Sequence, residues 1–177
     1  MIRIALVLFL VQFLKIDSCT TVEAESLKAD AVSLSGEWVL KSVFLGDVID
    51  TPCGWEAKDP RQMTLNITTT ATENDSKSFI LNGQSAVNQF FGSYAIQSFD
   101  KITKKGTIKM GAIGGTKMAG PEAMMNCETR YYTLLGDAVD FQLVEGENGP
   151  VLHLGRLKKD NTPSRDGGTY LIFEKGK

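Results

Sequence analysis

The clearest pattern of hydrophobic and polar positions lies between Pro121 and Gly136. At about 100° per residue, its apolar side chains fall on one arc of a helix and its polar side chains on the opposite arc. The apolar arc holds Met124, Cys127, Tyr131, Leu134 and Leu135. Pro121 suits the first position of a helix, and Gly136 can take the left-handed conformation that ends one. The pattern therefore predicts one amphipathic helix in this stretch.

A single charged residue, Glu128, interrupts the apolar arc of this helix. An isolated buried carboxylate costs more than the net stability of a folded protein, so we expect it to be hydrogen-bonded or paired. Its candidate partners are Lys117, Thr116 and a backbone N–H of the glycine-rich turn before the helix. Two interpretations stay open: a structural acid that ties the helix to a loop, and a tuned acid or ligand anchor.

A second pattern, the alternation of apolar and polar residues, recurs in short segments on both sides of the helix. These segments are 34–40, 63–67, 79–81, 90–96, 107–112, 139–144, 151–157 and 169–173. Turn residues such as Asn82-Gly83 separate them. The chain is therefore predicted to be mainly β with one helix (α+β). We expect an antiparallel sheet of about eight short strands, curled into a barrel or half-barrel and packed on the amphipathic helix.

The first residues of the chain have the pattern of an export signal. Arg3 precedes an apolar run over residues 4–14, which is too short to span a bilayer comfortably. We predict a signal peptide over residues 1–18, with cleavage before Cys19 or as late as after Ala24. The residues around Cys19 loosely resemble a lipobox, so a lipid anchor there is a second possibility. Residues 19–32 are predicted to be a flexible lead, and residues 33–177 the domain proper.

Export predicts a secreted or cell-envelope (periplasmic) location. Removal of residues 1–18 leaves 17 basic against 20 acidic residues, with no basic tract. We therefore expect no nucleic-acid partner and no attraction to an anionic membrane surface. The mature chain is long enough for one domain with its own core, and we expect it to hold no transmembrane segment.

Two cysteines, Cys53 and Cys127, remain once Cys19 is removed or lipidated. An even pair in an exported chain is expected to be oxidised, and we predict a disulfide between them. The competing interpretation makes Cys127 a buried free thiol on the apolar face of the helix. Two N-glycosylation motifs are also present, at Asn66 and Asn74. Asn74 is the better candidate because it lies in a polar connection.

The candidate chemistry points away from catalysis. His153 is the only histidine, so a multi-histidine metal site is impossible. Its neighbours Leu152 and Leu154 are expected to face the core, which points His153 to solvent. Residues 111–115 lack the Gly-Lys-Ser/Thr order of a phosphate loop. We therefore predict no metal, no cofactor and no enzymatic activity.

The aromatic stretch around Phe90, Phe91 and Tyr94 suggests a binding crevice. We expect Phe91 and Tyr94 on the strand face opposite Phe90, which would put aromatic surface on both faces. One interpretation is core packing beneath a covering loop. The other is a hydrophobic crevice with polar anchors at its rim. The candidate crevice residues are Asn88, Phe91, Tyr94, Lys117 and Glu128.

Several motifs together resemble the META/HslJ domain family. They are the Leu-x-Gly-x-Trp-x-Leu pattern over residues 34–40, residues 83–94 (GQSAVNQFFGSY), and residues 115–121 (GTKMAGP) followed by Glu128 in the helix. The late Leu152-x-Leu154 and residues 171–173 fit the closing strands. The family commonly has cysteines where this chain has Val87 and Gly120. The resemblance therefore implies that a usual bridge is lost here and that Cys53 with Cys127 substitutes for it.

The resemblance implies a small exported or membrane-anchored β domain with no established enzymatic activity. Bacterial members are linked to stress and antibiotic tolerance, and members from parasitic protozoa to virulence and motility. We therefore expect a non-enzymatic domain that acts by contact with an unknown protein partner. The alternative is a lipocalin-like carrier of a small apolar ligand, because Gly36-Glu37-Trp38 near the start of an exported β chain is also similar to lipocalins.

Overall fold

The computed structural model describes residues 18–54, 57, 61–159 and 167–176, with side chains from residue 25 onward. The predicted signal peptide, apart from Ser18, lies outside the described residues. Helix α1 covers Ser18–Leu34 and helix α2 covers Glu122–Gly136. The strands are β1 (Gly36–Leu45), β2 (Val48–Asp50), β3 (Thr64–Thr72), β4 (Asp75–Gln84), β5 (Gln89–Asp100), β6 (Lys105–Gly115), β7 (Asp140–Gly146), β8 (Gly149–Leu157) and β9 (Gly168–Lys175).

Within the described residues, the nine strands form one antiparallel sheet in the order β2-β1-β3-β4-β5-β6-β7-β8-β9. Strand β1 also pairs with β9 from Trp38 opposite Lys175 to Leu45 opposite Thr169. This pairing closes eight strands into a ring, and the short β2 extends the sheet beside β1. The mainly β, antiparallel class predicted from the alternation is confirmed. The prediction of a single helix is wrong, because the described residues contain two.

Helix α1 covers the whole of residues 19–32, the segment expected to be a flexible lead. Residues 23–31 are rich in alanine, glutamate, leucine and lysine, which have high helix propensity. Ala31 and Leu34 are buried against the sheet, and the indole N–H of Trp38 donates a hydrogen bond to the Leu34 carbonyl at 2.8 Å. The expectation failed because it weighed the polar composition of the segment and not its propensity. Neither helix in the described part of the chain is long and apolar enough to cross a membrane.

The core fills the inside of the ring with large side chains that alternate along the strands. The largest of them are Trp38, Tyr94, Tyr131, Phe79, Phe90, Phe141 and Phe173. Helix α1 packs against β3, β4 and β5, whereas α2 packs against β6, β8 and β9. Two of the core rings pack directly against glycines. A Cβ at Gly83 would lie 2.7 Å from the Phe90 ring, and a Cβ at Gly106 would lie 2.4 Å from the Phe141 ring. Side chains at these two positions would displace the core.

Helix α2 matches the predicted amphipathic pattern. Cys127, Tyr131 and Leu135 are buried, and Met124 and Leu134 pack at the edge of the core. The helix ends at Gly136 as expected, but Gly136 does not take a left-handed conformation. Instead Asp137 caps the helix in the right-handed region, and its N–H donates to the carbonyls of the last turn.

A disulfide and an ion pair hold α2 to the segment after β2 and to the last residue of β2. The Cα atoms of Cys53 and Cys127 are 4.7 Å apart, within the range of a disulfide. Three residues further along the helix, the guanidinium of Arg130 lies 3.0 Å from the carboxylate of Asp50. The geometry therefore fits the predicted disulfide and not the buried free thiol.

Removal of this bridge should lower the free energy of unfolding. For a sequence separation of 74 residues, the chain-entropy account gives about 4 kcal/mol. We expect the Cys53→Ser/Cys127→Ser double variant to lose that amount in denaturant titrations. Cys19→Ser, which leaves both cysteines in place, is the control. Equal stability of the double variant and the wild-type protein, or no effect of a reductant on the wild-type protein, would contradict the bridge.

Candidate functional site

The carboxylate of Glu128 lies at the centre of a buried polar cluster. Its Oε2 atom accepts hydrogen bonds from the Ser85 hydroxyl, from the Val87 N–H at 3.2 Å and from the Asn88 N–H at 2.7 Å. Its Oε1 atom accepts from the Asn88 side-chain amide at 2.8 Å. Glu128 is only 6% exposed. The partner segment is therefore the β4–β5 loop, and the expected partners near residues 114–117 are wrong.

The Asn88 side chain extends this cluster to a third segment of the chain. Its amide N–H donates to the Met118 carbonyl at 3.1 Å as well as to Glu128. Its carbonyl oxygen accepts from the Thr116 hydroxyl at 2.9 Å and from the Met118 N–H at 2.7 Å. Asn88 and Glu128 thus join α2, the β4–β5 loop and the segment after β6. We refer to these two residues as the Asn88–Glu128 hub.

Two opposing effects set the pKa of Glu128. Burial raises it, but hydrogen bonds from Ser85, Asn88 and Val87 outweigh the burial and hold the pKa of the carboxyl below its ordinary value of 4.5. Glu128 is therefore an ionised, acceptor-only group at neutral pH. Because four donors already occupy its two oxygens, the arrangement favours the structural acid over the tuned acid or ligand anchor.

A groove of about 590 Å³ lies on the outer face of the sheet next to the hub. A row of cross-strand neighbours runs through it from Glu37 through Asn66 and Asn82 to Phe91. The Phe91 ring is 63% exposed, and it lies over Gly114, where a Cβ would come within 3.1 Å of it. The other lining residues are Thr64, Gly83, Gln84, Gln89, Phe90 and Thr116. The groove is therefore lined by one exposed aromatic ring and by mostly uncharged polar side chains. Glu37 is the one charged residue in its lining.

The hub and the groove are joined by hydrogen bonds. The Gln84 side-chain amide donates to the carbonyls of Ser85 at 3.1 Å, Val87 at 3.3 Å and Asn88 at 3.1 Å. On the other side, the Thr116 hydroxyl accepts from the Gln89 N–H at 3.2 Å and donates to Asn88. Gln84, Gln89 and Thr116 all line the groove. The hub therefore fixes the position of this part of the lining.

The structure does not gather the five predicted crevice residues around one cavity. Asn88 and Glu128 are in contact but are buried rather than at a rim, and Phe91 lies in the groove. Tyr94 is 1% exposed and faces the core, where its hydroxyl donates to the Thr68 carbonyl at 2.8 Å. Lys117 is exposed and does not line the groove.

The expected faces of the aromatic residues were wrong for Tyr94. Phe90 and Tyr94 are four residues apart on β5, so alternation places them on the same inner face, and both are buried. Only Phe91 points outward. Burial raises the pKa of the Tyr94 hydroxyl far above its ordinary value, which fits its place in the core.

Three further predicted sites lie apart from the hub. Asn74 is exposed in the β3–β4 turn, whereas Asn66 is half-buried on the groove face and donates to Asn82 at 3.4 Å. His153 is not fully solvent-directed as expected. It is half-buried and stacks on Tyr170 with ring centroids 4.9 Å apart, and burial lowers its pKa.

The polar lining of the groove was missed by the sequence prediction. Asn82-Gly83 was interpreted as a turn, but both residues lie inside β4. The alternation continues through them: Leu81 is buried while Asn82 and Gln84 lie on the outer face. Extending β4 by this alternation would have placed both amides beside Phe91.

The fold and the site together define a mainly β domain. Its ring-shaped sheet packs against two helices and has an exposed polar groove on its outer face. A family model described as the META domain matches residues 31–163, and the chain therefore belongs to the META domain family. An NMR structure of a protein from Burkholderia xenovorans is similar, with a TM-score of 0.54 and 21% sequence identity over 84% of this chain and 88% of that protein. That likeness shows the fold alone. No curated protein sequence gives a significant match.

The hub should be essential for stability. Glu128→Ala removes the acceptor of the Val87 N–H and of one N–H of the Asn88 side-chain amide, and each unpaired buried donor costs about 1–3 kcal/mol. We expect the free energy of unfolding at pH 7 to fall by about 3 kcal/mol or more in denaturant titrations. Glu145→Ala, an exposed glutamate on β7, is the matched control and should change it by about 0.5 kcal/mol or less. Similar values for the two variants would exclude the hub as a stabilising element.

The same carboxylate should make stability depend on pH. Because the pKa of Glu128 is lower in the folded than in the unfolded chain, its contribution is complete above the ordinary value of 4.5 and is lost as the pH falls through the folded pKa. The difference in unfolding free energy between wild-type protein and Glu128→Gln should therefore shrink on acidification. Denaturant titrations over that pH range measure the difference, and a constant value would contradict the assignment.

Proposed function

We propose that this chain is a non-enzymatic binding domain that acts through contact with a partner protein in the cell envelope or secretory pathway. The observation that carries the proposal is Phe91, a large ring 63% exposed within a groove of polar side chains. Aromatic residues with well-packed surroundings are the commonest anchors of protein interfaces. The signal peptide predicted over residues 1–18 supports an exported location for the proposed binding domain.

The chemistry of the groove suits the backbone and neutral side chains of a protein partner. Asn66, Asn82 and Gln89 present amide groups that both donate and accept hydrogen bonds. Charged groups are depleted at the centres of protein interfaces, and among the lining residues only Glu37, at the end of the row, is charged. An aromatic anchor ringed by such groups can fix both the affinity and the orientation of a partner.

The groove is also held in a fixed shape before any partner arrives. Gln84 and Thr116, which line the groove, are hydrogen-bonded to Asn88 at 3.1 and 2.9 Å. A pre-organised surface loses less conformational entropy on binding than a flexible one. This rigidity supports a recognition role for the groove.

Two features support the non-enzymatic part of the proposal. The Glu128 oxygens already accept hydrogen bonds from protein donors, which removes this carboxylate from acid–base work. His153 stacks on Tyr170, and it is not one of the hydrogen-bond partners of Glu128. A hydrolytic arrangement of an acid, a histidine and a nucleophile is therefore not supported by the hub.

The packed interior argues against a lipocalin-like carrier. Rings from Trp38, Phe79, Phe90, Tyr131 and Phe141 fill the inside of the sheet, where such a carrier would hold its ligand. The groove is open, polar and on the outer face. For the cellular process, we propose stress response, virulence or motility, as the family resemblance implies.

Substitution of Phe91 should weaken partner binding without loss of folding. We expect a photo-crosslinking residue at position 91, expressed in the native host, to give a discrete adduct, and one at position 49 to give none. For the captured partner, Phe91→Ala should weaken affinity by tenfold or more in calorimetry. Ile49→Ala is the matched control, because Ile49 is 66% exposed on β2 outside the groove.

Both single variants should unfold within about 0.5 kcal/mol of the wild-type protein, since each removes an exposed side chain. Adducts of equal yield at positions 91 and 49, or equal affinities of the two alanine variants, would show that the groove is not the binding surface.

A further inference from the structure

The strands that line the Phe91 groove have their backbones paired on both sides. Strand β3 is hydrogen-bonded to β1 and β4, strand β4 to β3 and β5, and strand β5 to β4 and β6. An extended peptide therefore cannot join the sheet here as an added strand, which is one of the common ways in which a sheet binds a peptide. A ligand on this face meets mainly the Phe91 ring and the ends of polar side chains.

The side chains of the groove stand in a row that crosses four strands and ends at the aromatic ring. Glu37, Asn66, Asn82 and Phe91 are direct cross-strand neighbours on β1, β3, β4 and β5. Neighbouring strands lie about 4.8 Å apart, so the three spacings make the row roughly 14 Å long. That length suits an elongated ligand built of linked units.

Much of the hydrogen-bonding capacity along this row is unused in the described part of the chain. The Asn66 amide donates to the Asn82 side-chain oxygen at 3.4 Å, which leaves the Asn66 oxygen and the Asn82 N–H groups for a ligand. Glu37 and Gln89 are exposed, and among the described residues their side chains have no hydrogen-bond partner. The three amides can donate and accept hydrogen bonds, and the carboxylate can accept them.

The Phe91 ring adds a flat apolar surface at one end of the row. It lies against Gly114, where a Cβ would come within 3.1 Å of it, and 63% of the residue stays exposed. An aromatic ring beside groups that donate and accept hydrogen bonds fits a ligand that has an apolar face and a polar edge.

We propose that the groove binds a neutral oligosaccharide, so that the partner it recognises is a glycoprotein. A pyranose ring has C–H groups on its faces, which pack on an aromatic ring, and hydroxyls around its edge, which donate and accept hydrogen bonds. The amides and the carboxylate of the row match such hydroxyls, whereas the charge of Glu37 would repel a sugar that carries an acidic group. This inference rests on the proposed function, because it names the part of the partner that contacts Phe91.

An oligosaccharide array tests the ligand class. The full chain is applied to neutral oligosaccharides of glucose, galactose, mannose and N-acetylglucosamine, and to sialylated and uronic acid forms of the same chains. We expect binding to neutral members and weaker binding to their acidic forms. For the member bound best, Phe91→Leu should weaken affinity by tenfold or more in calorimetry, because it removes the flat ring. Phe91→Trp, which keeps a flat ring, should stay within about threefold of the wild-type protein.

A matched pair of glutamines on one strand tests the polar part of the site. Gln89→Ala should weaken binding severalfold, since it removes hydrogen-bonding groups of the groove without breaking a side-chain contact of the folded chain. Gln97→Ala is the control, because Gln97 is also exposed on β5 but does not line the groove. Binding to no member of the array, or equal affinities of these two variants, would overturn the proposal. Equal affinities of Phe91→Leu and Phe91→Trp would also overturn it.

Periodate treatment separates this proposal from the proposed function. Mild periodate cleaves the vicinal diols of sugars, so host extract is treated before it meets protein with a photo-crosslinking residue at position 91. Loss of the adduct supports the oligosaccharide. An adduct that survives treatment overturns the oligosaccharide and indicates a peptide contact, which leaves the proposed function intact. If untreated extract gives no adduct, the proposed protein contact fails, whereas array binding that is lost in Phe91→Leu still supports the saccharide site.

Discussion

The burial of one ionised carboxylate constrains the loops of this domain more than any other contact. Glu128 cannot be enclosed without donors for both of its oxygens, because an unpaired buried charge would cost more than folding returns. The chain supplies those donors from the β4–β5 loop, and Asn88 passes the constraint on to residues 116 and 118. The polar atoms of the hub are therefore all hydrogen-bonded only when α2, the β4–β5 loop and the segment after β6 are held together in this arrangement.

Because Glu128 follows Cys127 in α2, the helix connects the segment after β2 to the β4–β5 loop. Successive residues on a helix point about 100° apart, so Cys127 and Glu128 face different neighbours. Cys127 meets Cys53 in the segment after β2, and Glu128 meets Asn88 in the β4–β5 loop. The disulfide lowers the conformational entropy of the unfolded chain, whereas the hub provides hydrogen-bond partners for buried polar groups in the folded chain. The two contacts act on different states and on different segments, so their effects on stability should be close to additive.

Patterns of a few residues predicted the elements, but not the contacts that join them. Alternation identified the strands, and helical periodicity identified α2. Burial of one face of a strand or helix leaves a regular pattern of apolar residues over a few neighbouring positions. Helix α1 was missed because the polar composition of its segment was weighed and the high helix propensity of residues 23–31 was not. The need of Glu128 for a partner was predictable from its place on the apolar arc, but the identity of that partner was not. Ser85 and Asn88 are some forty residues away, and only the pairing of β4 with β5 brings their loop to the helix.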